Sequence, residues 1–382
     1  MVSTTTETGR PAAGKGVPPA ARAVGVVFLL YVFLVGVGFL EAGIAAMGKG
    51  FQDALLQSVS HPISGLCAGL LATVLVQSSS VSTSTIVGMV GAGTLPLALA
   101  VPMIMGANIG TTVTSTLASL GSIRRADEFR LAFAAATVHD FFNLLAVAVL
   151  LPLELATGFL SRMAGALTVF VGRSGVSAQE MAKSPIRAAV KLPVGWAEDL
   201  LPGGRLGGFL LLGLGLACIF VALAFITRNM RRLMAGSVER VMNRVIGGGG
   251  GLVGIVVGIG VTVAVQSSSI TTSILVPLVA AGVLTLQSAY PITLGANVGT
   301  TVTALIASLA VLKPEGLTIA LVHTLFNVVG LLLVYPIPAV RVIPIRLAEW
   351  LAEAASRSHR LVFAYVVTVF LLLPLLGVFL IQ

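Results

Sequence analysis

Apolar residues along this chain gather into stretches of about 20 residues, the length that spans a bilayer as a helix, separated by short polar or glycine-rich breaks. A helix of that length rises about 1.5 Å per residue and matches the roughly 30 Å hydrocarbon core of a bilayer. The pattern predicts a first spanning helix over about Val24–Met47, a polar stretch around Gly48–Ser60, and a second apolar region opened by His61-Pro62. Gly91-Ala92-Gly93 separates that region from an apolar run at Leu95–Leu120. A loop with Arg124, Arg125, Asp127, Glu128 and Arg130 leads into a long span from about Leu131 to Leu153. Ser161–Pro202 is different: it carries Arg162, Arg173, Lys183, Arg187 and Lys191 against Glu180, Glu198 and Asp199, and reads as a connector with interfacial helices. The pattern then restarts with Leu206–Ile226, a basic loop at Arg228–Arg244, and a glycine run at Gly247–Gly251. A second polar-studded apolar region follows, then Pro291–Leu312 and Leu317–Pro336. Arg341–Arg360 is amphipathic and suited to the membrane interface, and a last helix covers about Leu361–Leu380.

Composition sharpens this picture. The chain has 382 residues, 57% of them hydrophobic and 10% charged. A soluble domain carries about 25% charged residues, so a water-soluble core is excluded and a multi-spanning membrane protein follows. The net charge is +9. The basic residues cluster in loops, which orientation in a membrane explains and nucleic-acid binding does not need. Cys67 and Cys218 both lie in apolar stretches, away from any metal-binding or disulfide pattern. Met1–Pro19 is polar and reads as part of a flexible tail over 1–23, not as a signal peptide.

The chain repeats itself. Gln77-Ser78-Ser79-Ser80 recurs at Gln266-Ser267-Ser268-Ser269. The same offset relates two GAN[IV]GTTVT segments, Gly106–Thr114 and Gly295–Thr303. His139-Asp140-Phe141-Phe142-Asn143 corresponds to His323-Thr324-Leu325-Phe326-Asn327 at a slightly shorter offset. Three motifs in one order argue for duplication. The units are 24–158 and 206–340, joined by a connector at 159–205 and followed by an interfacial segment at 341–360 and a final helix at 361–382. Charge bears on their orientation. Arg10, Lys15 and Arg22 precede the first helix, whereas Arg228, Arg231, Arg232, Arg240 and Arg244 follow its repeat. Positive charge favours the cytoplasm, so the two helices should run in opposite directions, as in an inverted-repeat transporter. The positive connector runs against this assignment. The expected fold is an all-α polytopic membrane protein with two inverted-topology repeats, each with a re-entrant helical hairpin carrying QSSS.

Serine, threonine and glycine alone would signify close helix packing. A glutamine beside them in lipid needs several partners, and two in equivalent positions point to a site. The hydroxyls of QSSSVSTST and QSSSITTS are too dense for one helix face, which implies a broken helix; Gly88 and Pro277 are the expected breaks. Freed carbonyls, glutamine oxygens and hydroxyls suit sodium, and half-helix N-termini suit an anion. Asn108, Thr111, Thr112 and Thr114 form a second polar face, mirrored by Asn297, Thr300, Thr301 and Thr303. Asp140 is an acid in an apolar stretch and a candidate cation ligand; its mirror, Thr324, makes the halves unequal. His139 and His323 lack clustered acidic or thiol partners and read as satisfied helix histidines.

At these motifs the chain resembles the bacterial branch of the type II sodium-dependent phosphate cotransporters. Both QSSS copies, both GAN[IV]GTT segments, and the stretch Ala136–Asn143 with Leu150–Glu154 after it carry the resemblance, over about 24–340. It implies sodium-coupled secondary active uptake of inorganic phosphate by alternating access, a multi-pass place in the bacterial inner membrane, and no organic cofactor. Ser78, Ser79, Ser80, Asn108, Thr111, Thr112, Ser267, Ser268, Ser269, Asn297 and Thr301 are the candidate phosphate residues. Gln77, Asp140, Asn143, Gln266, Ser267, Thr300 and Thr303 are the candidate sodium ligands. Electrogenic members carry an aspartate where electroneutral ones carry glycine. Asp140 is the candidate for that position, and Gly91 or Gly93 would indicate the electroneutral type. Other readings of the same residues are a sodium- or proton-coupled carrier of another oxyanion and a non-transporting membrane sensor. An intramembrane serine enzyme is disfavoured because the second half lacks an acid beside its duplicated serines. The chain lacks the GxxxxGK[ST] nucleotide motif. Oligomeric state is not encoded in these motifs.

Overall fold

The computed structural model describes residues 18–48, 50, 60–173, 185–248, 251–311 and 313–381. The expected tail over 1–17, most of the polar stretch at 48–60, the middle of the connector (174–184), and residues 249 and 250 of the glycine run lie outside the described residues.

The described chain is helical. Its first part comprises α1 (Pro19–Ala46), α2 (Pro62–Val76), α3 (Ser79–Gly91), α4 (Leu97–Gly110), α5 (Val113–Ser119) and α6 (Ala126–Thr157). Two connector helices follow, α7 (Phe159–Arg173) and α8 (Pro185–Leu200). The second part comprises α9 (Arg205–Gly248), α10 (Gly251–Val265), α11 (Ser268–Ala280), α12 (Leu286–Ser308) and α13 (Pro314–Val334). The chain closes with α14 (Pro338–Arg357), α15 (His359–Val367) and α16 (Leu373–Leu380), the last two joined by a π-helical turn at Thr368–Leu372. Six described segments are long and apolar enough to cross a membrane: Ala20–Ala46, Leu97–Ser122, Ala126–Thr157, Arg205–Met230, Pro314–Val334 and His359–Leu380.

Two expected boundaries moved, for physical reasons. The basic loop at Arg228–Arg244 is the continuation of α9, a helix of 44 residues. Its sequence is rich in arginine, leucine, methionine and valine and free of proline, so nothing stops the helix before the glycine run. Gly88 and Pro277 do not break their helices either; α3 and α11 run through both. A Cβ at Gly88 would lie 2.7 Å from a Leu40 methyl, so that glycine serves close packing instead. The helix breaks fall earlier, at Gln77 and Gln266.

The duplication is visible as packing. A Cβ at Gly106 would lie 1.8 Å from the Leu66 carbonyl oxygen, and one at Gly295 would lie 2.0 Å from that of Ile255. Gly69 presses on Met103 as Gly258 presses on Ile292. Every partner in these pairs is shifted by the offset that separates the two QSSS motifs, so α2 meets α4 in the register in which α10 meets α12. The first helices of the two units pack on each other. Gly36 lies against Gly215 and Cys218, and Gly43 against Gly208 and Leu212, which makes α1 and α9 antiparallel. The units also exchange partners: α3 packs on α12 and α13, while α11 packs on α5 and α6. α7 lies on α13 as α14 lies on α6.

Local chemistry fixes the remaining joints. Gly158, with φ 63°, ends α6, and Glu154 turns back so that its carboxylate accepts the backbone N–H of Leu160 at 2.7 Å and bonds the Ser161 hydroxyl. This occupies donors that the start of α7 would otherwise leave unpaired. In α8 the buried Arg187 donates to the Val311 carbonyl, which ties the connector to the segment between α12 and α13.

Overpacking by one methyl group costs about 1–3 kcal/mol where the neighbour is backbone. Gly106→Ala and Gly295→Ala should therefore each lower the thermal midpoint of the detergent-solubilised protein by several degrees. Gly165→Ala, whose added Cβ meets nothing within 4 Å, should leave it unchanged or raise it. Equal effects at all three would contradict the packing register.

Candidate functional site

Each QSSS sits where one helix stops and another begins. Gln77 and Gln266 take the left-handed backbone, with φ of 55° and 57°, and among the described residues they alone do so without being glycine. Such a conformation costs an L-residue about 1–2 kcal/mol, and it ends a helix in the manner that glycine usually does. The glutamine side chain supplies what glycine lacks. Its amide nitrogen donates to the Val74 carbonyl in the first half and the Val263 carbonyl in the second, at 2.6 Å in each case. Those carbonyls belong to the final turns of α2 and α10 and would otherwise be unpaired in an apolar setting. The amide oxygen faces the other way, accepting from the Thr114 hydroxyl at 3.4 Å and the Thr303 hydroxyl at 3.0 Å.

The next residue begins the new helix. Ser78 and Ser267 are extended, and their hydroxyls accept from the Val81 and Ile270 N–H groups. Both are ordinary N-caps. Further along, the Ser82 and Thr271 hydroxyls donate back to the Ser78 and Ser267 carbonyls, at 3.2 and 3.4 Å. The N-terminal ends of α3 and α11 meet at a cavity of about 240 Å³. Gln77 to Ser80 and Gln266 to Ser269 line it, and Phe220, Leu223, Ala224 and Thr227 of α9 complete the wall. The motif serines, which come from opposite halves of the chain, thus share one space. The α9 wall was missing from the sequence reading because those positions carry no polar signature beyond Thr227.

The other candidates fall elsewhere. Asn108, Asn143 and Asn297 are buried outside the cavity lining and belong to a network that joins the two units. The Asn297 amide donates to Asn143 Oδ1 at 2.8 Å, and Asn297 Oδ1 lies 2.7 Å from His139 Nε2. Asn143 donates to the Asn108 carbonyl at 2.8 Å, and Asn327 donates to Asn108 Oδ1 at 3.0 Å. Thr111, Thr112 and Thr301 spend their hydroxyl protons on the Ala107, Ile109 and Val298 carbonyls close by in the chain. The hydroxyls of Ser268 and Thr300 are buried without a hydrogen-bond partner among the described residues. Asp140 is 1% exposed and lies apart from the cavity. Its Oδ2 accepts from the Tyr365 hydroxyl at 2.6 Å. Sequence reasoning left Thr114 out of the candidate ligands and passed over Thr272 and Tyr365. Thr272 bonds Ser115 across the units at 2.7 Å, and the mirror of Ser115 is Ala304, so symmetry could not reveal that pair. Among the described residues no group of three or more His, Cys, Asp and Glu side chains is placed to hold a metal.

Because Asn143 and Asn297 bond each other while buried, removing one leaves one amide atom of the other without its partner. Asn143→Ala and Asn297→Ala should each destabilise the protein by about 1–3 kcal/mol. The double variant should fall short of the sum by about 1 kcal/mol or more in a double-mutant cycle on unfolding. Strict additivity would contradict the direct contact.

Comparison with known proteins bears on the same residues. The Na+/Pi-cotransporter family matches residues 32–172 and 218–339, which include both QSSS motifs and both asparagine pairs. The rat (Rattus norvegicus) sodium-dependent phosphate transport protein 2A is 34% identical over 418 residues, covering 90% of this chain and 65% of the rat protein. The human (Homo sapiens) sodium-dependent phosphate transport protein 2B is 32% identical over 447 residues, covering 93% of this chain and 64% of the human protein. The chain thus spans a little less than two thirds of these relatives' length. No solved structure matches it. These relatives are vertebrate proteins, which overturns the expected place in a bacterial branch and with it the bacterial inner membrane. A multi-pass membrane protein is what stands. With most of both halves matched, the chain belongs to the Na+/Pi-cotransporter family.

Proposed function

We propose that this chain carries inorganic phosphate across the membrane together with sodium, by alternating access around one central site and with net movement of positive charge. The observation that carries the reading is the meeting of both QSSS breaks at a single cavity. Two helices of 13 residues begin there, so two sets of free backbone N–H groups and two positive dipole ends favour an anion. Its volume accommodates several groups of water size, at about 30 Å³ each, which suits a small oxyanion with ions beside it. Ser78 to Ser80 and Ser267 to Ser269 are the proposed phosphate residues at this lining. Asn108, Thr111, Thr112, Asn297 and Thr301 are proposed to support them from the helices behind.

For sodium, Gln77, Gln266, Ser267, Thr300 and Thr303 offer neutral oxygens near the breaks, and Asp140 with Asn143 offers a second, charged position. Protein oxygens of this kind are what a hard cation selects. The two halves, 24–158 and 206–340, act in this reading as inverted repeats. The antiparallel packing of α1 on α9 supports the inversion, and the lengths of α2, α3, α10 and α11, 13 to 15 residues each, support re-entrant hairpins, being too short to cross a bilayer singly. No covalent bond is made or broken. Sodium and phosphate would each raise the other's affinity, as linkage requires.

Purified protein in liposomes tests this directly. An inward sodium gradient should drive phosphate accumulation with inward positive current, and arsenate should compete. Ser267→Ala should cut uptake at least tenfold. Asp140→Gly should keep phosphate uptake while losing the current. Phosphate uptake that proceeds equally well in potassium would overturn the sodium coupling, and uptake without current in the unaltered protein would overturn the charge assignment.

A further inference from the structure

Tyr365 lies on α15, outside both repeated units and outside the residues that the family match covers. It nevertheless reaches the one acid in the paired motifs. Its hydroxyl donates to Asp140 Oδ2 at 2.6 Å. The ring is held from two sides. It meets Phe133 edge-on, with centroids 6.2 Å apart at 78°, and Phe370 edge-on, with centroids 5.9 Å apart at 89°. Such contacts fix a ring's plane, and a fixed plane fixes the hydroxyl. The π-helical turn at Thr368–Leu372 follows shortly after and brings Phe370 into that clamp. Turns of this type recur where a helix is shaped for a function.

The carboxylate is held by one oxygen only. Among the described residues, Asp140 Oδ1 has no hydrogen-bond partner. Thr112 also approaches the carboxylate, and its hydroxyl lies 2.8 Å from the Ile109 carbonyl, to which it can donate. Oδ2 is therefore anchored by Tyr365, while Oδ1 has no hydrogen-bond partner among the described residues.

We propose that Tyr365 is a positioning residue for a sodium ion bound at Asp140, and that the terminal helix thereby belongs to the transport machinery and not only to the scaffold. The proposal rests on the reading of Asp140 as a sodium ligand. The hydroxyl orients the carboxylate so that Oδ1 faces the ion, and it stabilises the negative charge when the ion is absent. Phenylalanine at 365 keeps the ring and removes only the donor. A hydrogen bond to a charged group is worth about one to two factors of ten in an equilibrium constant.

Tyr365→Phe, Asp140→Asn and Phe370→Leu can be compared in proteoliposomes and in detergent, reading the sodium concentration for half-maximal phosphate uptake and the sodium-dependent rise in thermal midpoint. Tyr365→Phe should raise that sodium concentration about tenfold and shrink the thermal rise, while maximal uptake at saturating sodium is retained. Phe370→Leu, which loosens the clamp but spares the hydroxyl, should lower overall stability with a smaller effect on sodium. If Asp140→Asn shifts sodium dependence and Tyr365→Phe does not, the positioning role is wrong and the reading of Asp140 survives. If neither shifts it, the reading of Asp140 falls and the proposal falls with it. If Tyr365→Phe and Phe370→Leu shift it equally, ring packing and not the hydroxyl is responsible, which also overturns the proposal.

Discussion

A helix that stops inside an apolar medium leaves carbonyls and N–H groups with nowhere to turn, and everything at the centre of this protein follows from how that problem is met twice. Gln77 and Gln266 adopt a backbone conformation that suits glycine and use their amide nitrogens to pair the carbonyls freed by the break. Ser78 and Ser267 then accept the first amides of the next helix. The residues at both breaks line one cavity. A broken backbone is tolerated at membrane depth only where it meets protein or a polar space, so the breaks and the cavity require each other.

The rest of the fold holds the breaks in place. Glycines let α2 lie on α4, and α10 on α12, with backbone touching backbone. That close approach brings Thr114 and Thr303 within reach of the glutamine oxygens. Between the halves, the chain of His139, Asn297, Asn143, Asn108 and Asn327 forms a buried polar seam. Its directional bonds favour one arrangement of the two units more sharply than apolar packing would.

Much of this was legible in the sequence because the polar residues stand out against lipid-facing stretches. The repeat offset, the paired motifs and the break near each QSSS could all be read from spacing. The exact break was misplaced at Gly88 and Pro277, because a glycine or proline weakens a helix wherever it stands, whereas a glutamine ends one through the particular bonds it makes, here to a carbonyl three residues back and to a threonine 37 residues on. The length of α9 was hidden because a basic stretch looks like a loop whether or not it is helical. Tyr365 was invisible for another reason. It lies far from Asp140 along the chain and has no counterpart in the duplication, so neither periodicity nor symmetry could point to it. Residue spacing in the paired motifs carried no signal for branch or compartment.

The central claim is that both halves build one phosphate site. Equilibrium binding of radiolabelled phosphate to the purified chain in sodium tests it most directly, for the unaltered protein and for Ser78→Ala and Ser267→Ala separately. The account predicts one phosphate per chain, lost or greatly weakened by either substitution alone. Two phosphates per chain, or a substitution in one half that leaves half of the binding intact, would contradict it.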